Sequence, residues 1–446
     1  MRWRSRTDTE PRWPSPPGRR DRPTRTSLLW LGISLLGLVG CDPAGPTPYT
    51  PCEHQPPDHP DYVESDSAGV AVLETACTVA DRDLGWTVGM DPEWELGGGN
   101  DPDNQFSGIR GIATLTDGGV AVFDMGPRAV RYFGEEGDLI AAVGGPGQGP
   151  GEFSRAQAYM FRHPDRDSIV VWDHVLQRLT FLTARAADPR LLSVRRVPPP
   201  LRFWRPQAAT GNHALARRVA TIPQGDQMGL MPRIIRFYWV TLDGEAEIQL
   251  GEWEMEERYR VMGPSGLPLI TSDPFQVFPS GTAVPGGAIL TDGRGFEIIR
   301  VDTVGAVQQV LRVDRRRRPV VESHLDSVAE ARAEVYQRDL EWQRSWYRHF
   351  EGTMPLPDSM AAFESVQVDD LGWIWAQVFG WDIRAPTTWM VFDPEGRAQG
   401  TVRLPAGLEV HEIGEDYVLG RWLDRASGVE YVRWHRLDRG TLAGTR

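Results

Sequence analysis

The sequence predicts an all-β fold, a six-bladed β-propeller, and three observations support that prediction. A unit of turn, apolar strand, polar turn and second strand recurs about six times along the 446 residues of the chain. Asp124 and Asp173, which end the leading strand of the two clearest units, lie 49 residues apart. Repeats of roughly 40–50 residues built from strands are typical of propellers, in which each repeat forms one four-stranded blade. A content of 47 Gly and 36 Pro also favours a turn-rich β protein.

Each unit starts with an apolar segment that we predict to be the inner strand of its blade. Polar turns such as 242–245 and 393–396 separate the strands, and clusters of Asp, Gly and Pro are hairpin signals. The leading segments are 118–124, 168–173, 213–219, 286–292, 372–378 and 416–422. The partner strands are 129–133, 178–182, 236–241, 297–301, 388–392 and 429–434.

An N-terminal strand is predicted to close the ring. In other units an outer strand follows the polar turn, as at 139–143 and 399–404, whereas the sixth unit lacks one. A bare strand edge is a liability because it invites pairing with other chains. We therefore expect the apolar segment 69–74 to pair with the sixth unit, so that the propeller domain spans 66–440.

One segment departs from the β pattern. Residues 322–350 contain no Pro or Gly. Within them, Leu325, Val328 and Ala331 repeat at helical spacing. We predict one amphipathic α-helix within an insertion, 320–352, between the fourth and fifth blades. The helix either packs over blade edges or forms a lid on the central channel, and the sequence leaves both alternatives open.

Residues 1–40 have the features of an export signal. They contain eight Arg, and their apolar stretch at 28–40 is shorter than the roughly 20 residues that span a bilayer. The stretch ends in Leu-Val-Gly followed by Cys41, which resembles the lipobox of bacterial lipoproteins, where the cysteine becomes lipid-modified. The resemblance implies a membrane anchor on Cys41 and a location in the bacterial cell envelope, outside the cytoplasm. An ordinary secretory signal is the alternative.

The next segment, 41–65, is predicted to be a Pro-rich tether. With Cys41 assigned to the lipid anchor, Cys52 and Cys77 remain as an even pair in an oxidising compartment. We predict a disulfide between them that fastens the tether to the first strand of the domain. Two free thiols are the alternative.

The charge of the chain argues against some functions. The net charge is −13, and it becomes about −18 when residues 1–40 are left out. An acidic domain repels phosphates, so we predict no nucleic-acid partner. All 48 basic residues are Arg, so chemistry that needs Lys, such as a Schiff base or a phosphate-loop lysine, is absent.

Asp124, Asp173 and Asp292 hold equivalent positions in their units. Three carboxylates around a channel would be able to bind a divalent cation. Aspartates at such positions more often cap a tight turn by accepting backbone N–H bonds, and we favour that role. We therefore assign no metal or other cofactor, although a divalent cation stays open.

Other polar and aromatic groups carry weaker signals. The acidic loop 97–104 lacks the spacing of a calcium-binding EF-hand loop, and the Gly-rich loop 144–151 lacks the Lys of a phosphate-binding loop. We expect both to be surface turns. The tryptophans at 373, 375, 381 and 389 are expected to pack between blades, with a sugar- or peptide-stacking surface as the alternative. The histidines show no metal-ligand spacing; they are His163, His174, His213, His324, His349, His411 and His435.

The first two units resemble NHL-type six-bladed propellers. In that family the first strand ends in Asp, and the next carries Arg near its start and an aromatic residue near its end. Asp173, Arg178 and Phe181 match this pattern, and the unit of Asp124 matches it in part. The loop 144–153 is similar to the "GxGPGEF" loop of a group of exported bacterial propellers. The resemblance implies a fold and no particular activity.

These observations favour a non-catalytic function. We expect a lipid-anchored binding or scaffold module of the cell envelope that recognises a protein, a peptide or a glycan on one face of the propeller. The alternative is a metal-dependent enzyme, similar to propeller lactonases or amidating lyases, with its site in the central channel. A purely structural role in a larger envelope complex is a third alternative.

Overall fold

The computed structural model describes residues 50–98, 101–155, 158–163, 167–197, 205–210, 213–222, 227–242, 247–255, 258–350 and 354–440. Most of these residues lie in antiparallel β-sheets, as the sequence predicts. The first strands are β1 (Tyr62–Ser67), β2 (Val70–Ala76), β3 (Thr87–Val88) and β4 (Trp94–Leu96). The helices are α1 (Cys77–Ala80), α2 (Ser323–Val335) and α3 (Leu340–His349), with a 3₁₀ turn at Pro102–Asn104. None of the described helices is long and apolar enough to span a membrane.

The main strands form six sheets in chain order, which we number 1 to 6. Sheet 1 contains β5 (Ile109–Thr114), β6 (Val120–Asp124), β7 (Ala129–Phe133) and β8 (Leu139–Gly144). Sheet 2 contains β9 (Ala158–Arg162), β10 (Ser168–Asp173), β11 (Arg178–Thr183) and β12 (Leu191–Arg196). Sheet 3 contains β13 (Arg205–Thr210), β14 (His213–Thr221), β16 (Arg233–Thr241) and β17 (Glu247–Met255), and β15 (Gly229–Leu230) lies between β14 and β16 in the chain.

The second half of the chain continues the pattern. After β18 (Arg258–Met262) and β19 (Pro268–Ser272), sheet 4 contains β20 (Ser280–Val284), β21 (Gly287–Thr291), β22 (Glu297–Asp302) and β23 (Val307–Asp314). Sheet 5 contains β24 (Phe363–Val368), β25 (Ile374–Val378), β26 (Thr387–Phe392) and β27 (Ala398–Leu404). Sheet 6 contains β28 (Leu408–Ile413), β29 (Tyr417–Leu423) and β30 (Glu430–Asp438).

The sheets form a ring around a channel. The first strands of sheets 1 to 5 contact one another in sequence, and β28 contacts β5, which returns the circuit to its start. The Gln367 amide in β24 donates a 2.8 Å hydrogen bond to the Val410 carbonyl in β28, joining sheets 5 and 6. Between neighbouring sheets lie apolar clusters such as the one that contains Phe123, Phe153 and Ile169. This is the arrangement of a β-propeller.

The segments predicted as inner strands are the second strands of their sheets, so that part of the prediction is wrong. Every residue of β6 and β10 is buried, because neighbouring sheets cover both faces of a second strand. Their continuous apolar runs therefore dominate the sequence signal. The first strands line the channel and carry polar residues such as Arg110 and Glu364, which weaken their β pattern.

An N-terminal strand completes the last sheet, as predicted, but it is not the segment 69–74. β2 instead pairs in parallel with β23 of sheet 4, with Leu73 opposite Leu311. Sheet 6 is completed by β4, with Trp94 opposite Trp434, and by β3. A strand of three residues shows no periodicity, so the sequence offers little signal for β4.

The structured domain begins inside the predicted tether. The Pro51 carbonyl accepts a 3.2 Å hydrogen bond from the Arg316 N–H. His54 Nε2 and Gln55 Nε2 lie 2.9 and 2.7 Å from the Asp314 carboxylate. β1 also starts within the tether range, at Tyr62. The predicted signal at 1–40 and the first tether residues lie outside the described residues.

The predicted helical insertion contains two helices rather than one. The Asp339 carboxylate accepts a 2.6 Å hydrogen bond from the Trp342 N–H and so caps the start of α3. This local bond competes with continuation of α2, which ends at Val335. The apolar residues keep helical spacing across the break between α2 and α3, which is why the sequence predicts a single helix.

A second insertion, a three-stranded sheet of β15, β18 and β19, packs against the helices. Tyr259 and Val261 of β18 cluster with Trp346 and Phe350, and His349 Nε2 lies 2.8 Å from the Met262 carbonyl. We call α2, α3, β15, β18 and β19 the cap. All five elements lie in connections at the end where the first strands begin. We call this end the cap face and the other end the open face.

Asp273, which joins the cap to sheet 4, makes stability depend on pH. Its side chain is buried, and burial raises its carboxyl pKa to about 6, although the Phe275 N–H donates a 2.8 Å hydrogen bond to it. The folded state therefore holds the proton more tightly than the unfolded state, and stability falls as pH rises from about 4 through 6.

Replacing Asp273 by Asn removes this cost and keeps the acceptor oxygen. We expect the variant to exceed the parent in unfolding free energy at pH 7.5 by roughly 2–3 kcal/mol, with the gain shrinking towards pH 4.5. Urea denaturation of both proteins at the two pH values measures the difference. A pH-independent difference would contradict the argument.

Candidate functional site: the channel and its two mouths

The central channel has a volume of about 660 Å³ and is lined by the first strands of all six sheets. Its lining is largely polar and includes Arg110, Ser280, Gln367 and His411. A cavity of this size and position is where propeller geometry gathers side chains from distant parts of the chain.

Towards the open face, Glu412 is saturated by hydrogen bonds. Its carboxylate lies 3.0 Å from Arg162 Nη1 and accepts bonds from the Thr114 hydroxyl at 2.6 Å and the Tyr417 hydroxyl at 2.5 Å. Burial, followed by the negative charge of Glu412, raises the pKa of Tyr417 above its usual range, so this phenol stays protonated and donates. The cluster therefore positions strands β5, β9, β28 and β29 and has few lone pairs left for a ligand.

Towards the cap face, the channel holds Glu409 and His411. The Glu409 carboxylate forms a 2.7 Å ion pair with Arg421 Nη1. His411 Nε2 lies 3.9 Å from Glu409 Oε1, beyond hydrogen-bond distance, and is buried without a hydrogen-bond partner among the described residues. Burial lowers the His411 pKa, so its imidazole is neutral at pH 7.

The channel opens on the open face into a second cavity of about 630 Å³, which we call the open-mouth pocket. Its aromatic wall consists of Trp94, Tyr417 and Trp434; the last two rings stack at 3.8 Å between centroids. Arg162 and Asp370 line both the channel and this pocket. Two further carboxylates, Glu93 and Glu135, complete the rim.

A third cavity, of about 610 Å³, lies on the cap face, and we call it the cap-side pocket. Its walls come mainly from loop 379–386 after β25, with further residues at 360–361, 387–388 and 407–409 and with Arg425 from the turn that follows β29. The Arg318 guanidinium lies 4.9 Å from the ring centre of Trp381, which also contacts His324 of α2. Glu409 lines both this pocket and the channel.

The repeated aspartates do not line these cavities. Asp124 accepts the Ser107 N–H at 3.2 Å, and Asp173 accepts both the N–H and the hydroxyl of Ser154 at 2.8 Å. Asp292 accepts a backbone N–H two residues further along the chain, at 2.8 Å. These carboxylates cap turns on the cap face, which is the role we favoured from the sequence.

The loop that resembles the exported propellers has a structural role. Arg178 Nη1 donates to the Gln148 carbonyl at 2.9 Å, and Arg131 in the preceding sheet donates to Gln105 in the same way at 2.6 Å. Phe153 of the loop is fully buried against Phe123. The motif thus fastens the connection between sheets 1 and 2.

In the acidic loop 97–104, the Asp101 side chain caps the 3₁₀ turn.

The other predicted site residues are spread through the molecule. Cys52 and Cys77 form a disulfide with their Cα atoms 5.3 Å apart, and Cys41 lies outside the described residues. Trp375 and Trp389 are buried in the core between sheets 5 and 6, and Trp381 lines the cap-side pocket. Of the seven histidines considered, His411 alone lines one of the three cavities.

Among the described residues, one group of three has metal-ligand spacing: Cys52, Cys77 and Asp81. Both sulfurs of that group belong to the disulfide. No pattern in the sequence points to Arg162 or Glu412, which lie 250 residues apart in the chain. Only the ring topology brings them together, so no local motif marks them.

Comparison with known proteins gives similarity in fold at low sequence identity. No family model matches the chain, and no curated protein matches it either. A DUF4221-family protein from Bacteroides vulgatus aligns over 79% of this chain and 99% of its own, with a TM-score of 0.43 and 8% identity. Virginiamycin B lyase from Staphylococcus aureus aligns over 79% and 99%, with a TM-score of 0.36 and 11% identity. Regucalcin, a calcium-binding protein from Agrobacterium tumefaciens, aligns over 75% and 92%, with a TM-score of 0.35 and 10% identity.

Proposed function

We propose that this protein is a lipid-anchored, extracytoplasmic six-bladed propeller of the NHL-like kind that binds a glycan of the cell envelope at its open face. The observation that carries the proposal is the open-mouth pocket, which combines three aromatic side chains with carboxylates at its rim. The lipobox-like sequence at Cys41 supports the anchor.

The chemistry of the open-mouth pocket suits a sugar. Aromatic rings pack against the C–H faces of pyranose rings, and the indole N–H groups of Trp94 and Trp434 are donors for hydroxyl oxygens. The carboxylates of Glu93 and Glu135 are acceptors for sugar hydroxyls, and both residues are exposed. The pocket is therefore equipped for a neutral polyhydroxylated ligand.

The pairing within the channel favours binding over catalysis. Glu412 and Glu409 each form an ion pair with Arg, at 3.0 and 2.7 Å. Both carboxylates are engaged in these ion pairs, so neither is a free general base.

The glycan proposal is tested by co-sedimentation of the full-length, detergent-solubilised protein with insoluble peptidoglycan. We expect binding by the parent, at least tenfold weaker binding by Trp434→Ala, and a severalfold loss in Glu135→Gln. Trp342→Ala is the matched control, because Trp342 is 46% exposed on the cap. Glu135→Gln changes an exposed side chain, so it reports on the site even if the loss of Trp434 disturbs folding.

Two outcomes would contradict the proposal. Equal sedimentation of the parent and both open-mouth variants would separate glycan binding from this pocket, and no sedimentation of the parent would reject a peptidoglycan ligand. Lipid anchoring is tested by fractionating cells that express the full-length protein. Cys41→Ala should move the protein from the membrane fraction to the soluble fraction. An unchanged membrane fraction would reject lipidation at Cys41.

A further inference from the structure

The cap-side pocket holds charged groups of both signs. Three of its charged residues are already engaged: Arg315 pairs with Asp81 at 2.9 Å, Asp382 with Arg384 at 2.8 Å, and Glu409 with Arg421 at 2.7 Å. A fourth, Arg318, lies over the Trp381 ring, 4.9 Å from its centre, which leaves Arg425 and Glu364 as the charged lining residues to be explained.

Arg425 is a cation without an anionic partner among the described residues. It lies in the turn between β29 and β30, and its Nη1 atom is buried with no hydrogen-bond acceptor within the described part of the chain. Its guanidinium lies 5.6 Å from the ring centre of Tyr336. The desolvation of this group is therefore not compensated, and a ligand carboxylate in the pocket that Arg425 lines would balance its charge.

Glu364 is the counterpart of opposite sign. Its carboxylate accepts a 3.0 Å hydrogen bond from Gln377 Nε2, and no Arg or His of the described chain forms an ion pair with it. The residue remains exposed to solvent, and desolvation by the protein atoms around it raises the pKa of this carboxyl above its usual value. A cationic ligand group would relieve that cost by stabilising the ionised form.

Much of the remaining lining is apolar or aromatic, with Gln377, Thr387 and Thr388 as its uncharged polar residues. Phe379, Ile383 and Pro386 form a wall on one side of the pocket. The volume of about 610 Å³ lies in the range of sites that bind small organic molecules. The pocket thus combines one unpaired cation, one unpaired carboxyl and an apolar wall.

We propose that the cap-side pocket binds a zwitterion of short-peptide size, whose carboxylate contacts Arg425 and whose ammonium group contacts Glu364. An apolar side chain of the ligand packs against the Phe379 wall. This site lies on the cap face and is separate from the glycan site proposed on the open face, so each stands without the other.

Isothermal titration of the full-length protein with the dipeptide Ala-Phe tests the proposal. The probes for comparison are N-acetyl-Ala-Phe, which lacks the ammonium, and Ala-Phe amide, which lacks the carboxylate. We expect at least tenfold weaker binding of each capped probe at pH 7.5, because each loses one charge-assisted contact.

Two variants assign the contacts. Arg425→Met should bind Ala-Phe and its amide equally, and Glu364→Gln should bind Ala-Phe and its N-acetyl form equally. The controls are Arg403→Met and Glu415→Gln, which replace exposed residues outside the pocket and should keep the parental affinities. Thermal melts of all four variants confirm folding.

Three results would overturn the proposal: no heat from Ala-Phe at millimolar concentration, equal affinities for free and capped probes, or unchanged preferences in both pocket variants. Peptidoglycan sedimentation by Arg425→Met and Glu364→Gln should equal that of the parent. That comparison distinguishes failure of this proposal from failure of the glycan proposal.

Discussion

Replacing Asp369 by Ala should lower the free energy of unfolding by roughly 3–5 kcal/mol. The Asp369 side chain is completely buried in the turn after β24, on the open face. Its carboxylate accepts the Trp373 N–H at 2.8 Å, the Trp375 indole N–H at 2.9 Å and Arg439 Nη2 at 2.8 Å. Alanine leaves the two tryptophan N–H groups without an acceptor, and Arg439, which keeps a 2.8 Å bond to the Gly414 carbonyl, loses its anionic partner.

Chemical denaturation of the parent and the Asp369 variant measures this loss. The matched control is Asp438→Ala, because exposed Asp438 also accepts a turn N–H, from Gly440 at 2.8 Å, but has no buried partner. We expect the control to lose less than about 1 kcal/mol. Similar losses in the two variants would show that the buried network contributes little.

Removal of the disulfide has the second large effect. Cys52 and Cys77 close a loop with a sequence separation of 25 residues, which restricts the unfolded chain. The double variant Cys52→Ser, Cys77→Ser should therefore lose about 3 kcal/mol of unfolding free energy. Cys41→Ser serves as the control, since that cysteine takes no part in the disulfide.

The disulfide prediction has a second readout. Reductant should destabilise the parent by a similar amount and leave the double variant unchanged. A parent that melts at the same temperature with and without reductant would contradict the predicted contribution. Because the loop includes β1 and β2, native-state hydrogen exchange should show the loss first in these two strands.

The fold could be predicted largely because several second and third strands, such as β6, β7, β10 and β11, are buried on both faces. The segment 168–173 coincides with β10, and its central run Ile-Val-Val-Trp is apolar because both faces are covered. The position of each strand within its sheet was harder to predict, because it depends on which strand lies next to the channel. The polar first strands, including β24 with Glu364, therefore carried no clear signal.

The candidate sites were beyond prediction for a different reason. Thr114 and Glu412 lie 298 residues apart and meet only because the ring closes. Arg425 and Glu364 likewise come from different sheets, and each looks like an ordinary surface residue in the sequence. In contrast, the Cys52–Cys77 pair follows from the sequence once Cys41 is assigned to the predicted lipid anchor, because only these two cysteines then remain.

The disulfide also determines how the molecule responds to a mechanical load. A pulling force that enters the chain before Cys52 passes through the two sulfurs directly to Cys77 at the start of α1. Residues 53–76, which include β1 and β2, are thereby bypassed and carry no tension. The force first reaches the ring where Arg82 and Leu84 exchange backbone hydrogen bonds with Thr401 of β27 in sheet 5, and only then β3 and β4, which pair with β30. Under load, the parallel pairing of β2 with β23 is therefore protected, and the first contacts to yield are these bonds to Thr401.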